Sequence, residues 1–197
     1  MSYKIYHTEG FILGSRPYGE ANKIFKILTP DLGLVDCLAQ GIRLEKSKLR
    51  FGTIDRRFVK ISLVRGREHW RLIYIVSDLK LGTKLSVEGL EVFLAKTASL
   101  LLRLIQGELA DPNLYQILKT AVLAWIENSK NNLKLQSSLE VLTVIRLLSA
   151  LGYCPDDKDV SLFAQMNNWQ KTTLINFDAH LPKAVHSVNV ILQNSYL

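Results

Sequence analysis

Cysteine is scarce in this chain: Cys37 and Cys154 are the two in 197 residues. No CxxC pair occurs, so neither a cysteine zinc site nor a disulfide framework is expected. Both thiols are expected to be reduced and partly buried. Histidine is nearly as sparse. His7, His69, His180 and His186 are scattered, and none falls at HxxxH or HExxH spacing. The glycines form no P-loop, no GxSxG and no GxGxxG. Cys37 sits mid-strand among apolar residues, where a structural thiol is the better reading than a nucleophile. Asp156, Asp157 and Asp159 resemble metal ligands, but placement at a helix N-terminus explains them. Nothing in the sequence asks for an enzyme, a metal or a cofactor. Long apolar runs are also missing: Thr97 to Ile105 is the richest stretch, and Arg103 breaks it. The first twenty residues carry Lys4, His7, Glu9 and Arg16, so no secretory signal is expected. A soluble cytoplasmic protein is the simplest expectation.

What is present is an uneven charge. Net charge is +7. Residues 1–80 hold fifteen Lys/Arg against eight Asp/Glu, whereas residues 81–197 hold ten of each. The whole excess therefore falls in the first part. A basic portion beside a neutral one points to a polyanion-binding module joined to something else, or to a solvated basic surface.

The period of the apolar residues changes along the chain in the same place. "YKIYHTEGFILGS", "NKIFKILT", "GLVDCLAQG", "RRFVKISLVRG" and "HWRLIYIVSDLKL" carry the alternation and β-branching of strands. Five strands without an intervening helix suit a five-stranded OB-type barrel. Between the first two lies "RPYGE", Arg16 to Glu20, which reads as a type I turn with Pro17 second and Gly19 fourth. From Val87 to Ile105 apolar residues recur at three- and four-residue steps, an amphipathic helix. A second helix starts at Asp111-Pro112 and ends at Asn131-Asn132, and a third runs from about Gln136 to Leu151. A short helix follows Asp157, a hairpin is expected around Thr172 to Phe177, and Pro182 opens a last helix. The fold class is therefore α+β, an all-β domain over residues 1–81 and a helical bundle domain over 82–197.

The cations of the first domain are grouped. "GIRLEKSKLRFG" places Arg43, Lys46, Lys48 and Arg50 within eight residues, between glycines and with Glu45 as the one acid. Arg56, Arg57, Arg65, Arg67 and Arg71 follow. Cations beside Trp70, Phe51 and Tyr18 are the ingredients of single-strand binding, charge along the backbone and aromatic faces under bases. Trp70 and Phe51 also fit ordinary strand packing. In an OB barrel the loop between strands one and two flanks the binding face, which adds Arg16, Tyr18 and Lys23 to the candidates.

These residues carry a resemblance. "EGFILGSRPYGEANKIFKILTPDLGLVDCLAQGIRLEKSKLR" resembles the N-terminal signature of the RecO family, in its Tyr-Gly-Glu turn, Leu-Thr strand end, Gly33, and the fit of Arg43, Lys46, Ser47, Leu49 and Arg50. Gln40 stands where the pattern has lysine. "RLLSALGYCPD", Arg146 to Asp156, is similar to an element that ends a helix in the helical domain of the family. The resemblance implies a non-enzymatic recombination mediator. It implies binding of single- and double-stranded DNA, annealing of complementary strands, and help in loading recombinase onto coated strands. The partners implied are the acidic tail of single-stranded DNA-binding protein, and RecR. Such a tail needs an apolar pocket rimmed by cations, for which Arg146 and Leu147 are the candidates, against a solvated helix position for Arg146. The region Lys158 to Leu197 has no cysteine, so the family's four-cysteine zinc ribbon is expected to be missing. A protein-interaction scaffold with a basic face and an RNA-binding OB protein are the alternatives.

Overall fold

The computed structural model describes residues 4–49, 53–78, 81, 87–105, 107–108, 110–128 and 132–194. Five strands come first: β1 (Ile5–Tyr18), β2 (Asn22–Thr29), β3 (Gly33–Ala39), β4 (Phe58–Arg65) and β5 (Trp70–Ser77). They close into a barrel in the order β1-β2-β3-β5-β4, with β3 and β5 parallel and the other pairs antiparallel. This is the expected OB-type barrel. Its inside is the alternate face of each strand: Ile12, Phe25, Ile27, Val35, Cys37, Val59, Ile61, Leu63, Leu72 and Ile75 form one buried cluster. β1 is long enough to serve two neighbours. Its first half pairs with β4 as far as Phe11↔Phe58, and its second half pairs with β2 from Phe11↔Leu28 to Tyr18↔Asn22. Gly10, opposite Val59, lies so close to β2 that a Cβ there would stand 2.5 Å from Cγ2 of Ile27.

Six helices follow among the described residues: α1 (Leu90–Leu104), α2 (Pro112–Asn128), α3 (Leu133–Ala150), α4 (Lys158–Gln165), α5 (Lys171–Asp178) and α6 (Leu181–Asn194). The chain divides into two compact units. The first takes Met1–Lys84 and Leu94–Tyr115, and the second Leu85–Phe93 and Gln116–Leu197. In the first unit, Phe58 packs on Phe11 at 4.7 Å and on Tyr115 at 6.0 Å, and the Tyr115 hydroxyl donates to Oε2 of Glu9 at 3.2 Å. Burial, and then the Glu9 charge, push the Tyr115 hydroxyl well above the usual phenol range.

The second unit is built around α3, which packs against α4, α5 and α6. Asn132 caps α3 by accepting from the Leu135 N–H, and Asp157 caps α4 by accepting from Asp159 and Val160. Phe93 stacks on Trp125 at 4.6 Å. The hairpin expected at Thr172 to Phe177 is instead helix α5. Its β-branched residues favour a strand, but Thr173, Leu174 and Phe177 recur at helical steps and are buried, Phe177 against Phe163. α3 also begins earlier than expected, at Leu133. Cys154 is exposed, not partly buried. No described helix is long and apolar enough to cross a membrane.

Candidate nucleic-acid interface

Three connections of the barrel are linked to one another by contacts. The first joins β1 to β2, and it is shorter than expected. Pro17 pairs with Lys23 inside the ladder, so the turn is Gly19 to Ala21, with Gly19 at φ 62°. Proline is tolerated in the strand because the β4 ladder has already ended at Phe11, so a backbone donor on that side of Pro17 would have no ladder to join among the described residues. Arg16 and Tyr18 are exposed, and Lys23 is half-buried at the start of β2.

The second connection, Gln40 to Leu49, folds against the first. The Gly41 N–H donates to Oδ1 of Asn22 at 2.8 Å, and the Arg43 N–H donates to the Ala21 carbonyl at 3.0 Å. Nη1 of Arg43 donates to the Gly19 carbonyl at 3.3 Å. Ile42 is buried in the barrel cluster and anchors the loop, while Arg43, Lys46 and Lys48 remain exposed. The third connection is the β4–β5 turn. A Cβ on Gly66 would overlap the His69 carbonyl oxygen, so the tightness of this turn requires glycine. It presents Arg67, and His69 lies edge-on to Tyr18 at 6.0 Å. Nη2 of Arg71 donates to Oε1 of Gln40 at 3.0 Å, tying β5 to the second connection. Gln40 therefore positions a cation.

The structure thus places Arg16, Tyr18 and Lys23 on the β1–β2 hairpin, Arg43, Lys46 and Lys48 on the second connection, and Arg65, Arg67 and Arg71 in and beside the β4–β5 turn. Arg56 and Arg57 lie just before β4, beyond the opposite end of that strand from Arg65. The Arg56 N–H donates to the Ile12 carbonyl, and the Ile12 N–H donates to the Arg57 carbonyl, so the pair clasps the point where β1 changes neighbours. Arg56 holds φ 60° to do so, and both side chains are half-buried. Arg50 and Phe51 lie outside the described residues.

Trp70 is not a free stacking face. It is 5% exposed, with the edge of Tyr6 against it at 5.1 Å and the Arg65 guanidinium over its ring at 4.8 Å. Strand alternation explains this, because Trp70 shares the inward face with Leu72. Its Nε1–H donates to Oε1 of Glu108 at 3.1 Å. Nη1 of Arg65 donates to the same carboxylate, at 2.7 Å to Oε1 and 2.5 Å to Oε2. Sequence reasoning did not find Glu108, since no local motif links it to Arg65. Cys37 is fully buried opposite Trp70. Burial, then Asp36 and Glu108, push its thiol far above the usual range, which withholds the thiolate a nucleophile needs.

In the second unit, Arg146 and Leu147 do not form an accessible rim. They are 2% and 0% exposed, on a helix buried on most of its circumference. Arg146 is neither a solvated position nor a surface cation. Its guanidinium lies over Trp169 at 4.1 Å, its Nε–H donates to the Phe163 carbonyl at 3.2 Å, and neither Nη has a hydrogen-bond partner among the described residues. Burial lowers its pKa to about 10.

Residues 1–73 match the family pattern described as recombination protein O, N terminal. Over 154 residues, 77% of this chain, the sequence is 28% identical to a DNA repair protein RecO from Dehalococcoides mccartyi, covering 58% of that protein. Over 164 residues, 81% of this chain, it is 32% identical to the protein of the same description from Thermodesulfovibrio yellowstonii, covering 62% of it. A segment of 65 residues is 50% identical to the one from Rubrobacter xylanophilus, 32% of this chain and 25% of that one. The chain thus spans a little over half the length of the relatives it matches most extensively.

Proposed function

We infer, because the chain belongs to the RecO family, that it is a DNA-binding recombination mediator in DNA repair and not an enzyme. The observation that supports this best is that contacts link three cation-bearing connections, one of which carries the exposed Tyr18. Phosphates along a strand need cations spaced around a rim, and bases need an aromatic face, here Tyr18 at 40% exposure. The loop is bound to the hairpin by the Gly41 and Arg43 N–H groups, and Lys46 and Lys48 are exposed along it.

Within this reading the barrel is the nucleic-acid domain. It binds single- and double-stranded DNA and neutralises two strands brought together, which is what annealing requires. Helping to load recombinase onto coated strands, with RecR and the acidic tail of single-stranded DNA-binding protein as partners, follows from the family and not from a surface described above. Arg146 and Leu147, being buried, are no longer candidates for the tail.

The test is binding of an oligo-dT strand across a range of salt by the wild type and by Arg43→Ala/Lys46→Ala/Lys48→Ala, with strand annealing measured without nucleotide. Each phosphate that a cation no longer neutralises reduces the log–log salt slope on a single strand by about 0.7, so the triple variant loses about 2. An unchanged slope would remove the loop from the interface. Preference for an acidic peptide over any oligonucleotide would favour a protein scaffold, and preference for RNA would favour an RNA-binding role.

A further inference from the structure

Arg65 and Trp70 differ from the other candidates in already being occupied. Two donors from adjoining strands, the Arg65 guanidinium and the Trp70 indole N–H, converge on the single carboxylate of Glu108. Indole donates and cannot accept, and guanidinium is a fork that matches any planar or tetrahedral oxyanion. What the two hold is therefore defined by chemistry and not by the identity of Glu108: an anion presenting two oxygens. Arg65 is also fixed from below by the Trp70 ring, at 4.8 Å, and Trp70 in turn by Tyr6. The donors are thus preset, whereas the acceptor is not. Glu108 lies outside any helix, after α1, beside Gly107 at φ 80°, and its side chain is 41% exposed. Exposed Arg67 and Arg71 follow in the same turn and strand, with Glu68 as the acid between them.

We propose that Arg65 and the Trp70 indole N–H form a site for one phosphodiester, and that Glu108 occupies it in the unliganded protein and leaves when a strand binds. The proposal rests on the DNA-binding reading and deepens it. It changes the part assigned to Trp70 from a stacking face to a hydrogen-bond donor. It also makes Glu108 a competitor for DNA, so that a strand is held only where neighbouring phosphates engage Arg67, Arg71 and the Arg43–Lys48 loop together.

Replacing Glu108 with Gln keeps the shape and removes the charge. Glu108→Gln is expected to bind oligo-dT about fivefold more tightly than wild type at low salt, the scale of one exposed ion pair. In an Arg65→Ala background the same change is expected to do nothing. The Trp70 indole N–H resonance gives an independent reading. It shifts on Glu108→Gln without DNA, and in that variant it shifts again on titration with inorganic pyrophosphate. An affinity unchanged or weakened by Glu108→Gln, or a gain that persists without Arg65, overturns the competition. An indole resonance unmoved by either anion in Glu108→Gln overturns the site, even if the strand binds elsewhere on the barrel. If pyrophosphate moves the indole but no variant binds any oligonucleotide, the anion site stands and the DNA-binding reading fails.

Discussion

Replacing Gly10 with alanine probes how the barrel is closed. The new Cβ would stand 2.5 Å from Cγ2 of Ile27, 3.4 Å from the Leu28 carbonyl oxygen and 3.5 Å from Cγ2 of Thr29. The first approach is about 1 Å inside the carbon–carbon optimum. Ile27 is fully buried with Val35 and Ile61, so its methyl has nowhere to retreat in a close-packed interior. Overpacking of this kind costs about 1–3 kcal/mol. Alanine recovers about 0.5–1 kcal/mol through its smaller backbone entropy loss. The net expectation is a loss of roughly 1–2 kcal/mol, measured by urea titration read at the Trp70 indole. The offending atom can be removed separately. Leucine has no methyl on Cβ, so Ile27→Leu is expected to cost under about 1.5 kcal/mol alone. In the Gly10→Ala background it should return about 1 kcal/mol. If Gly10→Ala is as stable as wild type, or if the two changes add within about 0.5 kcal/mol, the close approach of β1 and β2 is not what keeps glycine there.

Tyr18→Ala is expected to weaken oligo-dT binding by about 1–3 kcal/mol, the worth of one stacked base, while leaving the urea midpoint unchanged because the ring is exposed; equal affinity would exclude Tyr18 as a base platform. A thiol reagent should modify exposed Cys154 at once and Cys37 only on unfolding, since burial raises the Cys37 thiol; two fast equivalents would contradict the closed barrel. Asp157→Ala should destabilise the second unit at neutral pH. The Val160 N–H, and then Lys183, hold the Asp157 carboxyl below its ordinary 3.8. The stabilisation is therefore complete above that value and is lost as pH falls through the lower folded one, so thermal melting of wild type and variant should converge in acid. A gap independent of pH would deny the carboxylate its part in the cap.

Much of the barrel could be read directly, because strand alternation is a local property: β2 runs from Asn22 to Thr29, the same residues as its alternating pattern. The same rule, applied across strands, would have placed Trp70 inside with Leu72. Its basic neighbours drew attention to the wrong property. The hairpin turn was displaced because Pro17 and Gly19 fit a turn by preference, whereas pairing of Pro17 with Lys23 is decided by where β4 lets go of β1. α5 and Arg146 were misread for a related reason. Thr172, Thr173 and Ile175 favour strands in isolation, and arginine favours water, but both segments answer to the packing around α3. Glu108 could not be found at all, being 43 residues from Arg65.

The early parting of β1 from β4 has a consequence for how the protein behaves in a crowd. Beyond Ile12 no ladder among the described residues borders the β4-facing side of β1, the kind of edge along which a second chain could add a strand. Pro17 lies in that stretch and has no N–H to offer an incoming strand, and Arg16 beside it is an exposed charge. Pro17 of RPYGE thus removes one donor from that edge, which disfavours edge-to-edge pairing with a second copy.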